Sequence, residues 1–332
     1  MKRSLFLLIC ACLLAACQGP ASQATPALAA ATPLATLTVS IPATETMLAT
    51  PNPTVGLTAS PSAQPLQTCA ESEPVCILAG HFLMQRPIEL PNNIVPDHTY
   101  LYGSTQSGKR EPHHGVEFPN AQGTPVLAVA DGKVVFAGDD KLVLLAWMTT
   151  YYGNVVVVQH DFPGPGGPIY SLYAHLYKIN VSQGQQVRLG EQIGQVGATG
   201  RAIGSHLHFE VRAVNNDYRS NRNPELWLAP LAGTGVLAGR IEDAQGKLVK
   251  GVLNVQRMDA GVLNPLPVTS IETYVINEPQ PVNGDDIWHE NFTAGDLPAG
   301  DYRLSMLYDG ALSEMQVKIE PDKLTFVRFI LK

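Results

Sequence analysis

The chain has 332 residues, a formal net charge of −7 and 15% charged residues, a length that accommodates two ordinary domains with extensions. No long run of Lys and Arg occurs, which argues against nucleic acid as the main partner, because phosphate binding needs clustered cations. With 29 Gly and 26 Pro, the composition suits short strands and turns better than long helices.

At the start, Lys2 and Arg3 precede an apolar run over residues 5–16, too short for an ordinary membrane-spanning helix. The run ends in Leu14-Ala15-Ala16-Cys17, which resembles the lipobox of bacterial lipoproteins. That resemblance implies a signal peptide over 1–17, lipidation of Cys17, and an extracytoplasmic protein anchored to a membrane. Cys10 and Cys12 would leave with the signal, so Cys69 and Cys76 remain, in CAESEPVC. Export permits a disulfide, and the short separation makes that ring easy to close, so a Cys69–Cys76 bridge is expected. Residues 18–67 are mainly Ala, Thr, Pro and Ser with almost no charge. Such a stretch buries too little surface to offset the entropy of ordering and is predicted to be a disordered tether, spanning roughly 40 Å.

Residues 68–232 read as strands. Residues 125–129 and 133–136 flank the turn Asp131-Gly132, 154–159 are a β-branched run, and 169–176 follow a Pro/Gly-rich loop. From Val181 to Gly194, glycines and β-branched residues recur as short strands joined by tight turns would require. No stretch sustains a helical period, so an all-β domain is predicted. In residues 233–332, 236–242 and 248–255 around a turn at 243–247 read as a hairpin, with later strands at 302–307, 315–319 and 324–331. The text GRIEDAQGKLVKGVLNV and FTAGDLPAGDYRLSM resembles carboxypeptidase-regulatory or transthyretin-like modules, which implies a smaller β-sandwich domain. Trp288, His289 and Glu290 read as an exposed loop.

The chemistry concentrates in His113-His114-Gly115-Val116-Glu117, Tyr173-Ala174-His175-Leu176 and His206-Leu207-His208-Phe209-Glu210. On a strand, residues two apart share a face, so His206 and His208 project side by side. His113 and Glu117 share a face if their segment is extended. With one His of the other strand they supply two nitrogens and one oxygen, leaving a fourth tetrahedral position for water. That open arrangement characterises catalytic rather than structural zinc.

The succession HHGVEFPNAQGTPVLAVADGKVVFAG, YGNVVVVQH, YAHL and VSQGQQVRLGEQIGQVGATGRAIGSHLHFEVR resembles lysostaphin and LytM-type peptidoglycan endopeptidases. The likeness covers roughly residues 100–212, with several ordered motifs agreeing at once. It implies a LytM-type antiparallel β core (the duplicated hybrid motif) and zinc-dependent hydrolysis of peptide bonds in cell-wall peptidoglycan. His113, Glu117 and His208 correspond to the metal ligands, and His175 and His206 to two catalytic histidines that do not ligate. Glu117 stands where the family usually has Asp, one methylene shorter. No HExxH helix is present, so a glutamate base of that kind is not expected.

His114 should point away from Glu117 and serve structure, and His160 should pack at a strand end. Asn154 suits a strand turn. Glu210 is placed either to orient His208 through its second nitrogen or in a surface salt bridge. Tyr100 and Tyr102 are candidates to donate a phenol to an oxyanion. A rival reading keeps the fold without the reaction: an inactive LytM-like domain that binds peptidoglycan or regulates a cell-wall hydrolase. A lipoyl-type carrier also resembles residues 181–197, but no Lys lies between Lys178 and Lys247 to carry the group.

Overall fold

The computed structural model describes residues 68–70, 72–160, 166–264, 269–275 and 280–332. The lipobox-like segment ending at Cys17 and the tether 18–67 lie outside the described residues. Among the described residues the fold is all-β, relieved by two single 3-10 turns, Tyr218–Ser220 and Pro224–Leu226.

Strand β1 is Val75–Leu78 and β2 is Val116–Pro119. They are followed by β3 (Pro125–Leu127), β4 (Gly132–Asp139), β5 (Asn154–His160) and β6 (Ile169–Ala174). The segment of spaced glycines yields β7 (Lys178–Ile179), β8 (Gln186–Val187) and β9 (Gln192–Gln195), then β10 (His206–Ala213) and β11 (Asn221–Arg222). One sheet has the order β11-β10-β6-β5-β4-β8 with β2 also paired to β10; β3, β9 and β7 form a small second sheet.

The pleat of the larger sheet decides where the site falls. On β5, Val156 and Val158 enter the large core, while Val155 and Val157 enter a second core on the opposite face. On β10, Leu207, Phe209, Val211 and Ala213 belong to the large core, so His206, His208, Glu210 and Arg212 face the other way. Side-chain exposure along that polar row falls from 13% at His206 to 6% at His208 and 0% at Glu210 and Arg212. The row therefore runs from an open cleft into the protein interior.

Residues 233–332 form β12 (Thr234–Glu242), β13 (Val252–Asp259), β14 (Val262–Leu263), β15 (Thr269–Glu272), β16 (Phe292–Pro298), β17 (Gly300–Tyr308), β18 (Ala311–Ile319) and β19 (Leu324–Ile330). They build a sheet β1-β19-β12-β16 and a sheet β14-β13-β17-β18 with β15 on β13. The hairpin expected over 236–255 does not form. The turn is present, with Gly246 N donating to Asp243 O at 3.0 Å and a bridge between Glu242 and Leu248. Both edges of β12 are taken, however, by β16 and by a parallel ladder to β19, so β13 crosses to the other sheet.

No break in packing occurs at residue 232. Phe118, Phe209, Leu226 and Trp227 share one core with Val236, Trp288, Leu324 and Phe326. From the other end of the chain, β1 pairs with β19 in the register Val75↔Val327 to Leu78↔Leu324, close to the Cys69–Cys76 disulfide. The exposed-loop reading of residues 288–290 is overturned for two of the three. Trp288 and Glu290 are buried, and His81 lies between the Trp288 and Trp227 rings at 4.2 and 4.5 Å. The Tyr274 hydroxyl donates to Glu290 Oε1 at 2.6 Å, and burial, reinforced by Asp285, pushes the Glu290 carboxyl up to about 8.

Candidate active site

Three strands and the segment before β2 bring the predicted residues together. Glu117 on β2 lies directly opposite His208 on β10, and Ala174, at the end of β6, flanks His208 on its other side. His175 follows with φ +61°, a left-handed backbone that turns the chain out of the strand. His113 arrives just before β2, where Gly115 makes close approach possible. A Cβ on Gly115 would lie 2.4 Å from Phe209 O and 3.0 Å from the His208 ring.

The three residues read as ligands converge. His113 Nε2 is 2.9 Å from Glu117 Oε1, His208 Nδ1 is 3.0 Å from the same oxygen, and the two nitrogens are 3.4 Å apart. Their far sides are committed: His113 Nδ1 is 2.8 Å from Tyr100 O, and His208 Nε2 is 3.0 Å from Glu210 Oε1. An N–H donated on each far side leaves each near nitrogen able to ligate a metal once it gives up any proton of its own. Two imidazole nitrogens and a carboxylate oxygen thus face one another, a grouping that is held this close by a proton or a metal cation among them. The nitrogen–nitrogen separation is close to the edge of a tetrahedron of donors around zinc, about 3.3 Å for bonds of about 2.0–2.1 Å, while the two nitrogen–oxygen separations are of hydrogen-bond length. The remaining oxygen, Glu117 Oε2, is buried without a hydrogen bond, although His206 Nε2 lies 2.9 Å away off the bonding direction. The residues present fit a divalent metal of zinc's preferences.

The electrostatics agree. Burial alone would lower His208, but Glu117 and Glu210 outweigh it and push the imidazole up to about 10. Burial opposes ionisation of Glu117, yet His208, His113 and His206 hold its carboxyl well below the usual range. The pocket favours positive charge at the His113–Glu117–His208 junction. His175 differs: burial, with His208 nearby, brings it down to about 4. Its Nδ1 is 2.8 Å from Thr199 O, and its ring centroid lies 4.9 Å from that of His206 and 5.7 Å from that of His208.

Of the two roles open to Glu210 in the sequence, the surface salt bridge is excluded. The carboxylate is fully buried, bonds His208, accepts from the Tyr152 hydroxyl, and is gripped by Arg212 at 2.9 and 2.8 Å. Arg212 is itself satisfied by Leu145 O, the Tyr152 hydroxyl and Asn216 Oδ1. The alternation in HLHFEVR carried the signal for this row: any strand that presents His206 and His208 on one face presents Glu210 and Arg212 there too.

The other expectations divide. His114 points away from the junction and packs on Tyr218, with ring centroids 4.0 Å apart, and burial lowers it to about 3. His160 bonds Asp131 O and Ser171 Oγ at its strand end. Asn154 donates to Leu176 O at 2.9 Å, tying the start of β5 to the turn after His175. Tyr102 is no oxyanion donor, because its hydroxyl is buried against Asn221 and Asn283. Tyr100 reaches the cleft by its ring, stacked on His113 at 3.9 Å, while its hydroxyl donates to Glu111 O. The sequence reading missed Tyr151, Arg110 and Arg201, which line a cleft of about 790 Å³ with the histidine group. Arg110 lies 4.8 Å over Tyr100, and Arg201 lies 6.0 and 5.9 Å from the Trp147 and Tyr151 rings.

Residues 111–222 match Peptidase family M23. The chain is 38% identical over 110 residues to the peptidoglycan DD-endopeptidase ShyB of Vibrio cholerae, covering 33% of this chain and 22% of that protein. It is 42% identical over 100 residues to the DD-carboxypeptidase/endopeptidase Mpg of Neisseria meningitidis, covering 30% and 20% respectively. The chain therefore spans about a fifth of the length of the curated relatives it matches. Among solved structures, a zinc-containing peptidase from Vibrio cholerae aligns with a TM-score of 0.31 and 32% identity, covering 40% of this chain and 36% of that one. Residues 111–222, which hold every candidate ligand and catalytic histidine, are a Peptidase family M23 domain.

Proposed function

We propose that the protein is a zinc-dependent endopeptidase that hydrolyses peptide bonds in cell-wall peptidoglycan, held at a membrane by a lipid on Cys17. The observation that carries the reading is the convergence of His113 Nε2, Glu117 Oε1 and His208 Nδ1, three potential ligand atoms turned toward one point. Similarity to ShyB, a peptidoglycan DD-endopeptidase, supports the substrate class, and similarity to Mpg, a DD-carboxypeptidase/endopeptidase, supports the reaction.

His113, Glu117 and His208 would hold the metal, and Glu210 would keep His208 in the tautomer that ligation needs. Bound there, zinc would polarise the scissile carbonyl and acidify the attacking water. His175 is neutral and spends its Nδ1–H on Thr199 O, so Nε2 is free to accept a proton at the cleft. His206 has Nδ1 3.2 Å from Gly204 O and turns Nε2 toward Glu117 Oε2, where a proton on that nitrogen can pass to the leaving amine. Arg110 and Arg201 give the cleft two guanidinium groups suited to the carboxylates of stem peptides.

The direct test is a digest of purified cross-linked wall with the protein as isolated, after chelation, and after zinc is restored. Release of new amino termini that stops with chelator and returns with zinc is expected. Zinc-free protein that binds wall without cleaving it would establish the regulatory alternative. For the anchor, Cys17→Ser should shift the protein from the membrane pellet to the soluble fraction, since dual or multiple acylation is what makes such anchoring stable. A mutant that still sediments in high salt would refute lipidation at Cys17.

A further inference from the structure

We propose that Glu272, on β15 of the C-terminal sandwich, is a positioning residue for the catalytic cleft. It ties down the loop that carries the cleft's basic wall and leads into His113. The inference rests on the endopeptidase reading above and gives the sandwich a part in the chemistry.

Glu272 reaches across the shared interface to residues 104–107. Its Oε2 accepts from Thr105 N at 2.5 Å, Ser104 Oγ at 3.1 Å and Thr105 Oγ1 at 3.2 Å, and its Oε1 accepts from Ser107 N at 2.5 Å. Gln106 and Ser107 both have left-handed backbones, with φ of 47° and 61°. Neither is a glycine, so this conformation needs support from outside the loop. Two backbone N–H groups of one tight loop turned onto one carboxylate act as an anion-binding concavity, with the intervening Gln106 N–H on Ser104 Oγ, and here the anion is a side chain of another module. These bonds outweigh the cost of partial burial and hold the Glu272 carboxyl below its usual value.

The clamp is two hydrogen bonds from the metal-facing group. Ser104, whose Oγ donates to Glu272, accepts His113 N on its carbonyl at 3.1 Å, and Gly103 N donates to His113 O at 2.7 Å. Downstream, Thr105 O accepts Arg110 N at 3.0 Å, and Thr105 Oγ1 accepts Gly108 N at 2.9 Å. Thr105 thus sets both the clamp and the start of the wall that presents Arg110 to the cleft. The sandwich also backs the loop sterically: a Cβ on Gly103 would come within 2.5 Å of the Tyr274 ring.

A carboxylate that acts through the loop should govern substrate binding more than metal binding. In the full chain, Glu272→Gln keeps the shape and removes the charge, and Glu272→Asp keeps the charge with a shorter reach. Zinc content, amide hydrogen exchange and hydrolysis of a cross-linked muropeptide should be compared with the unaltered protein. For Glu272→Gln, zinc should stay stoichiometric, exchange at Thr105 and Ser107 should accelerate, and KM should rise about tenfold with kcat changed less than about threefold. Glu272→Asp should fall between. Unchanged KM alongside faster exchange, loss of zinc, or global unfolding of both variants would assign Glu272 to plain structure and overturn the proposal. If the unaltered protein holds zinc but cuts nothing, the endopeptidase reading itself has failed, and the same data distinguish that outcome.

Discussion

Replacing Glu117 by alanine is expected to abolish both zinc retention and wall hydrolysis. Glu117 Oε1 stands 2.9 Å from His113 Nε2 and 3.0 Å from His208 Nδ1, and it is the one carboxylate in the described metal-ligating group. Without it two imidazoles and solvent remain, and metal affinity should fall by orders of magnitude. Glu117→Asp separates length from charge. It keeps an oxygen donor but draws it back by about 1.5 Å, one carbon–carbon bond, from a position where the present backbone already places glutamate at ligand spacing. It should retain zinc with weaker affinity unless β2 shifts toward β10. Metal content of the three proteins at one pH, with activity on cross-linked wall, gives the comparison. Stoichiometric zinc in Glu117→Ala would remove Glu117 from the ligand set.

Arg212→Met should cost about 3–5 kcal/mol of folding stability, the penalty for stranding the charge of a buried pair. Arg212 and Glu210 are both fully buried, and Glu210 has one oxygen on Arg212 and the other on His208 and Tyr152. Burial works against the Glu210 charge, yet Arg212 and His208 keep its carboxyl far below the ordinary 4.5. A depressed carboxyl stabilises the fold fully above the unfolded value and loses that contribution as pH falls through the folded one. The native protein should therefore keep this contribution down to pH values well below 4.5. Without Arg212 the folded value rises, and acid unfolding should begin at higher pH. Denaturant melts at several pH values measure both effects. Glu210→Gln is the gentler companion, expected to weaken metal affinity about 10–100-fold by loosening the His208 tautomer. Equal acid sensitivity of native and Arg212→Met proteins would show that the pair carries no net stabilisation.

The clearest sequence signals were those set by local periodicity. Alternation in HLHFEVR placed His206 and His208 on one face and, read further, implied the row that ends at Arg212. The all-β character followed from β-branched runs and spaced glycines, and the histidine motifs were assembled where an extended chain would put them. The partners of each strand were a different matter, because pairing depends on which edges are already occupied. The turn at 243–247 looked like a hairpin, yet β12 gives its edges to β16 and β19 and sends β13 to the opposite sheet. Likewise the burial of Trp288 and Glu290, the pairing of β1 with β19, and the grip of Glu272 on residues 104–107 join segments over 150 residues apart or close an interface between modules. A short polar stretch has the same composition whether water or another module covers it, so the sequence determined which residues share a face, and tertiary packing decided which faces meet.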